Sequence, residues 1–116
     1  MTDVLVVDDD TDCRDAVRVA LTRRGYTVEC ADSGLHALEM MRLHRPALVL
    51  CDVRMPEMSG PQLVHYALDE GLIDPHRVVM VSAVAQRCGS AASWCLSKPI
   101  DFELMLRVVG EFCGGR

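Results

Sequence analysis

Short, nearly continuous apolar runs recur along the chain, separated by stretches with helical spacing of their hydrophobic residues. Val4–Val7, VLVV, is apolar at every position. That is the mark of a strand covered on both faces, as in a parallel sheet. Ala47–Cys51, ALVLC, is the most apolar of these runs. Residues 77–82 (RVVMVS) and Trp94–Ser97 (WCLS) read as a fourth and a shorter fifth strand. Tyr26–Ala31, YTVECA, mixes polar and apolar residues and therefore suits a sheet edge.

Between these runs the apolar period changes to that of a helix. Thr11 or Asp12 can cap a helix running to about Arg24, with Cys13, Val17, Ala20 and Leu21 as its inner stripe. Gly25 ends it. Asp32 and Ser33 precede a second helix, which carries Leu35, Leu38 and Met41 and stops before Pro46. Pro61 fits the first turn of a third, burying Leu63, Val64, Ala67 and Leu68. The segment AVAQRCGSAAS over 83–93 is short, small and interrupted by Gly89, so only a weak helix is expected there. Asp101 starts the last helix, with Phe102, Met105, Val109 and Phe112 on one face and Gly114 at its end. Five alternations of strand and helix imply an α/β fold, with a parallel sheet and right-handed crossovers.

The chain has 116 residues, half of them hydrophobic, so one domain with a real core is expected. With only one Trp, two Tyr and two Phe, its interior must be filled by Val, Leu, Ala and Met. A net charge of -5 opposes non-specific attraction to nucleic acid or an anionic membrane. No apolar run approaches the roughly 20 residues of a membrane-spanning helix. The N-terminus lacks the basic region and cleavage site of a signal peptide. The six cysteines are scattered without a CxxC pair, and the four histidines lack metal spacing. Reduced thiols in a cytoplasmic protein are the expectation.

Chemistry gathers at the ends of the strands. Asp8 and Asp9 follow the first, Asp52 the third, Ser82 closes the fourth, and Lys98-Pro99 follows the fifth. In a parallel α/β sheet, the carboxyl ends of the strands share one rim, where ligands bind. Carboxylates and an ammonium there suit a small hard cation together with a phosphoryl group. Asp8, Asp10 and Asp12 also form D-x-D-x-D, the opening of a calcium loop. Cys13 and Val19 stand where that loop needs Gly and Glu, so the reading is rejected. Asp10 and Asp12 are left as capping, solvent-facing residues.

These residues, together with DVRMPEMSG over 52–60, resemble the receiver domain of two-component response regulators. The resemblance covers essentially the whole chain, taken as one receiver domain over 1–116. It implies a (βα)5 doubly wound five-stranded sheet in the flavodoxin-like order 2-1-3-4-5. It also implies Asp52 as phosphoacceptor and Mg2+ as cofactor. Asp9, Asp52 and the backbone carbonyl of Arg54 would hold the metal, while Asp8 orients its waters. The Ser82 hydroxyl and the Lys98 ammonium would meet phosphoryl oxygens. The Lys98-Pro99 peptide would be cis. The implied partners are a histidine kinase or histidine phosphotransfer protein and a downstream protein.

Two departures from the family pattern bear on output. The aromatic switch residue usually lies three positions before the lysine; Cys95 stands there, with Trp94 one earlier. Neighbouring residues of a strand face opposite ways, so Trp94 is no simple substitute. Only 15 residues separate Ser82 from Lys98, and receivers typically carry about six more, or some 9 Å of helix. The fourth helix is therefore expected to be shortened or remodelled. Because that region forms the usual dimer face, a monomer is expected. Two alternatives carry different functions. One is a receiver acting as a constitutive interaction module. The other is a magnesium-dependent phosphatase of the haloacid dehalogenase type, for which Asp8 and Asp10 supply D-x-D but the needed late carboxylate pair is missing.

Overall fold

The computed structural model describes residues 2–83 and 94–114. Five parallel strands form one sheet: β1 (Val4–Val7), β2 (Val28–Ala31), β3 (Leu48–Asp52), β4 (Val78–Ser82) and β5 (Trp94–Ser97). The helices are α1 (Thr11–Arg23), α2 (Gly34–Leu43), α3 (Gly60–Asp69) and α4 (Phe102–Cys113). The strand order is β2-β1-β3-β4-β5, as expected for this doubly wound α/β fold. The expected remodelling of the segment between β4 and β5 lies outside the described residues.

Alternation along the buried strands divides the core into two layers. Leu5, Val7, Val49, Cys51 and Met80 pack with Ala37, Leu38 and Met41 of α2 and with Leu63, Val64 and Ala67 of α3. Val4, Val6, Leu48, Leu50 and Val79 face the other way, toward Val17 and Leu21 of α1 and Met105, Val108 and Val109 of α4. The central strands β1, β3 and β4 are buried at every position, whereas β2 is half-buried at three of its four. The edge position expected for the mixed second strand is confirmed.

Several details differ from the sequence reading. The cap of α1 is Asp10, whose carboxylate accepts from the backbone N–H groups of Asp12 and Cys13. Thr11 is already helical, because the carboxylate one residue earlier reaches the open N–H groups first. In α2, Leu35 is 58% exposed and Ala37 takes the inner position. In α4, Phe102 is exposed and Val108 is buried beside Val109. The inward stripes otherwise hold: Leu38 and Met41 are buried in α2, and Met105 and Val109 in α4. The second strand begins at Val28, and a short 3-10 turn, Pro75–Arg77, precedes β4. Among the described residues, no helix is long and apolar enough to cross a membrane.

Candidate functional site

The first strand delivers two acids to the sheet rim. Val7 pairs with Ala31 on one side and Cys51 on the other, so β1 ends between two neighbours. Asp8 follows directly, with its N–H donating to the carbonyl of Ala31 at 3.1 Å. Its side chain is only 7% exposed, and Oδ1 accepts the N–H of Asp10 at 2.9 Å. Asp9 is exposed. Asp10 caps α1 instead, and the acids that come together are Asp8, Asp9 and Asp52.

The third strand delivers Asp52. Its neighbour across the ladder is Val81, which leaves Ser82 one residue further along β4 at the same rim. Asp52 is only 8% exposed and Ser82 only 2%. The N–H of Arg54 approaches Asp52 Oδ1 at 3.4 Å, while the Arg54 side chain is exposed. Beyond it the chain makes a tight turn. Glu57 has φ +69°, and the N–H of Met58 donates to the carbonyl of Pro56 at 2.7 Å. A non-glycine residue in the left-handed region is uncommon and fixes the path of this loop. Two glycines let the loop seat. A Cβ on Gly34 would lie 2.6 Å from Met58 Sδ, and one on Gly60 would lie 2.5 Å from the backbone oxygen of Asp52. Ser59 then closes a reciprocal capping box with Gln62 at the start of α3.

The fifth strand brings the cation. The N–H of Lys98 donates to the carbonyl of Ser82 at 2.9 Å, continuing the β4–β5 ladder past Ser97. The Lys98-Pro99 peptide is cis. Lys98 Nζ lies 3.1 Å from Asp52 Oδ2 and 3.6 Å from Asp8 Oδ2. Asp8, Asp9 and Asp52 each present a carboxylate oxygen within 4.8 Å of the others. An all-oxygen, multiply anionic set of this size fits a hard divalent cation and disfavours a thiophilic one.

Electrostatics at the rim follow from this crowding. Burial pushes Asp52 above the usual carboxylate range, and the hydrogen bond and charge of Lys98 oppose that push without cancelling it. Burial acts to lower Lys98, but the hydrogen bond to Asp52 and the charges of Asp8 and Asp52 prevail and hold it above the ordinary lysine value. The ammonium is therefore firmly charged. The Cys13 thiol, beside Asp8, is pushed up to about 11 by its burial and by the adjacent carboxylate, so it is not a thiolate at neutral pH.

A family model described as the response regulator receiver domain matches residues 4–109. The chain belongs to this family. The chain is 32% identical to an uncharacterised 14.6 kDa protein of Leptolyngbya boryana, over 96% of its own length and 89% of the relative's. It is 39% identical to the transcriptional regulatory protein CseB of Streptomyces coelicolor, and 35% to the response regulator MprA of Mycobacterium ulcerans. It spans 53% and 46% of those two proteins, about half of each. Among solved structures, the receiver domain protein of Methanospirillum hungatei superposes with a TM-score of 0.82 at 28% identity, covering 97% of this chain and 94% of that one. The chemotaxis protein CheY4 of Vibrio cholerae gives 0.83 at 28%, covering 97% and 98%.

As a receiver, the chain is a signalling domain rather than a classical enzyme, and its family implies a histidine kinase as partner. Its acidic pocket could hold a metal. The departure at the switch position is visible in part. Cys95 is half-buried and packs on the layer of α2 and α3, while Leu96 packs on the opposite layer. Among the described residues, Cys13, Cys30, Cys51 and Cys113 are not in disulfides. Cys95 is instead disulfide-bonded, which scattered spacing without a CxxC pair gave no means of foreseeing.

Proposed function

We propose that this receiver accepts a phosphoryl group on Asp52 from a histidine kinase or histidine phosphotransfer protein, and that phosphorylation alters its binding to a downstream protein. The observation that carries the reading is the approach of Lys98 Nζ to Asp52 Oδ2 at 3.1 Å, beside two further carboxylates. A carboxylate oxygen of Asp52 attacks phosphorus, forming an O–P bond as the N–P bond of the donor phosphohistidine breaks. The electron pair of that bond returns to the imidazole nitrogen, which takes up a proton. Asp52 is a competent nucleophile for such a transfer, and the remaining work is positioning and charge neutralisation.

Asp9, Asp52 and the Arg54 carbonyl would hold Mg2+, with Asp8 orienting its waters. Bound there, the metal supplies positive charge to phosphoryl oxygens. Lys98 would move from the Asp52 carboxylate to a phosphoryl oxygen once the acyl phosphate forms, and the Ser82 hydroxyl would serve another. The same groups would also serve hydrolysis of the aspartyl phosphate. The domain is read as occupying 1–116 and acting in the cytoplasm without contacting nucleic acid.

Two variants separate the metal from the phosphoryl role. Magnesium should raise the melting temperature of the wild-type protein by binding the native state. Asp9→Asn should blunt that shift, and relief of like-charge repulsion should stabilise its metal-free form by about 1 kcal/mol. Lys98→Ala should keep the magnesium response but destabilise the phosphorylated state. A thermal scan of each with and without magnesium reads the difference; an unaltered response in Asp9→Asn would place the metal elsewhere.

We further propose that output passes through a heterologous partner, the domain remaining monomeric. Light scattering with and without a phosphoryl mimic should give one mass. A stable dimer in the presence of the mimic would contradict this. Partner binding indifferent to phosphorylation would favour a constitutive interaction module, a reading that the non-aromatic Cys95 supports.

A further inference from the structure

Arg14 is a second cation at the acidic rim, and the functional reading above leaves it without a role. It sits in the first turn of α1, where its own N–H closes that turn on the carbonyl of Asp10 at 3.0 Å. Its side chain doubles back. Nη1 donates to the backbone carbonyl of Asp8 at 2.8 Å, and Nη2 reaches Thr11 Oγ1 at 3.5 Å. The peptide that joins Asp8 to Asp9 is thus gripped through its oxygen.

This grip matters because of what the turn must do. Asp8, Asp9 and Asp10 are consecutive acids between β1 and α1, with no glycine or proline among them to fix the path. Asp8 is anchored on one side by its N–H to Ala31 and on the other by its carboxylate to the N–H of Asp10. Asp10 is anchored by capping the helix. Asp9 is exposed, and among the described residues no hydrogen bond or ion pair of its side chain is seen. The orientation of the Asp8–Asp9 peptide plane therefore governs where the Asp9 carboxylate points. Repulsion between neighbouring carboxylates would otherwise splay it outward.

We propose that Arg14 is a positioning residue for the metal site: by holding the Asp8 carbonyl, it keeps the Asp9 carboxylate turned toward Asp8 and Asp52. The inference rests on reading these three acids as a magnesium site. It makes a prediction whose sign separates positioning from simple charge. A guanidinium near a cation site repels the cation, so on charge alone its removal would tighten magnesium binding. Positioning predicts the reverse.

The test is magnesium titration by calorimetry of the wild-type protein and of Arg14→Ala, Arg14→Met and Arg14→Lys. Alanine and methionine both favour helix, and methionine keeps an apolar stem, so at least one donor-free variant should fold. The dissociation constant should rise about tenfold in the donor-free variants, the lower end of the range for residues that orient metal ligands. Arg14→Lys keeps the charge and one donor and should recover most of the loss. With a small phosphodonor, the magnesium requirement of phosphorylation should shift in parallel, and the deficit should narrow as magnesium is raised. An unchanged or lower dissociation constant in a folded donor-free variant overturns the inference. Failure of the wild-type protein itself to bind magnesium overturns the metal site instead, which keeps the two outcomes distinct.

Discussion

Asp52→Asn should take up no phosphoryl group from either a kinase or a small phosphodonor, while folding normally and melting higher than the wild-type protein without metal. The first effect is chemical: an amide oxygen is not a competent nucleophile toward phosphorus. The second follows from burial. Asp52 is held above the usual carboxylate range chiefly by desolvation. A carboxyl group that titrates higher in the folded than in the unfolded chain favours the folded state most below its unfolded value. That advantage is lost as pH rises through the folded value. At neutral pH the ionised group is therefore a liability that the uncharged amide lacks. The melting advantage of Asp52→Asn should shrink as pH falls through the raised value of folded Asp52 and be gone below the ordinary carboxylate value, where wild-type Asp52 is neutral in both states. A pH series of thermal scans on the two proteins checks the sign. A variant that melts lower at neutral pH would mean that Lys98 contributes more than burial costs.

Gly60→Ala should destabilise the fold by about 2–3 kcal/mol, a magnitude in keeping with overpacking at a rigid contact. The added Cβ would meet the backbone oxygen of Asp52 at 2.5 Å, and also Met80 Sδ and the Cα of Val53 at 3.1 Å. The worst of these contacts is with backbone, which cannot swing aside as a side chain can. The N–H of Gly60 is also tied to the carbonyl of Val53 at 2.9 Å, so α3 cannot withdraw without losing that bond. For a domain of this size the loss corresponds to roughly 10 °C or more in melting temperature. Because the clash falls on Asp52 itself, phosphorylation should slow as well. Thermal melting reads the first effect, and an unaltered midpoint would show that the helix start can shift freely.

The fold was largely legible in the sequence because burial on both faces leaves a plain signal. VLVV, LVLC and VVMVS are buried at every position, and their apolar continuity gave these strands away. The rim residues were legible for a related reason: each lies at or just beyond the end of such a run. Lys98 reaching both Asp8 and Asp52 is the convergence that this placement anticipates.

Other features carried weaker signals. Leu35 and Phe102 are expected inward because they are large and apolar, yet both are exposed, and the smaller Gly34 and Ala37 take the buried first-turn positions of α2. The choice of Asp10 over Thr11 as cap depends on a one-residue difference in where α1 begins, and all of the candidates are good capping residues. The need for Gly34 is set by Met58, 24 positions away, and only tertiary packing reveals it. Arg14 was equally silent: its contact is to a backbone carbonyl six residues back, which no side-chain pattern encodes.

The central claim is that Asp52 is the acceptor and that the other rim groups serve it. It is tested most directly by incubating the wild-type protein with magnesium and a small phosphodonor, then locating the added group by peptide mass spectrometry under conditions that preserve acyl phosphates. One phosphoryl group on the peptide containing Asp52, dependent on magnesium and lost on exposure to base, is the predicted result. A modification on any other residue, or equal incorporation when magnesium is chelated, would contradict it.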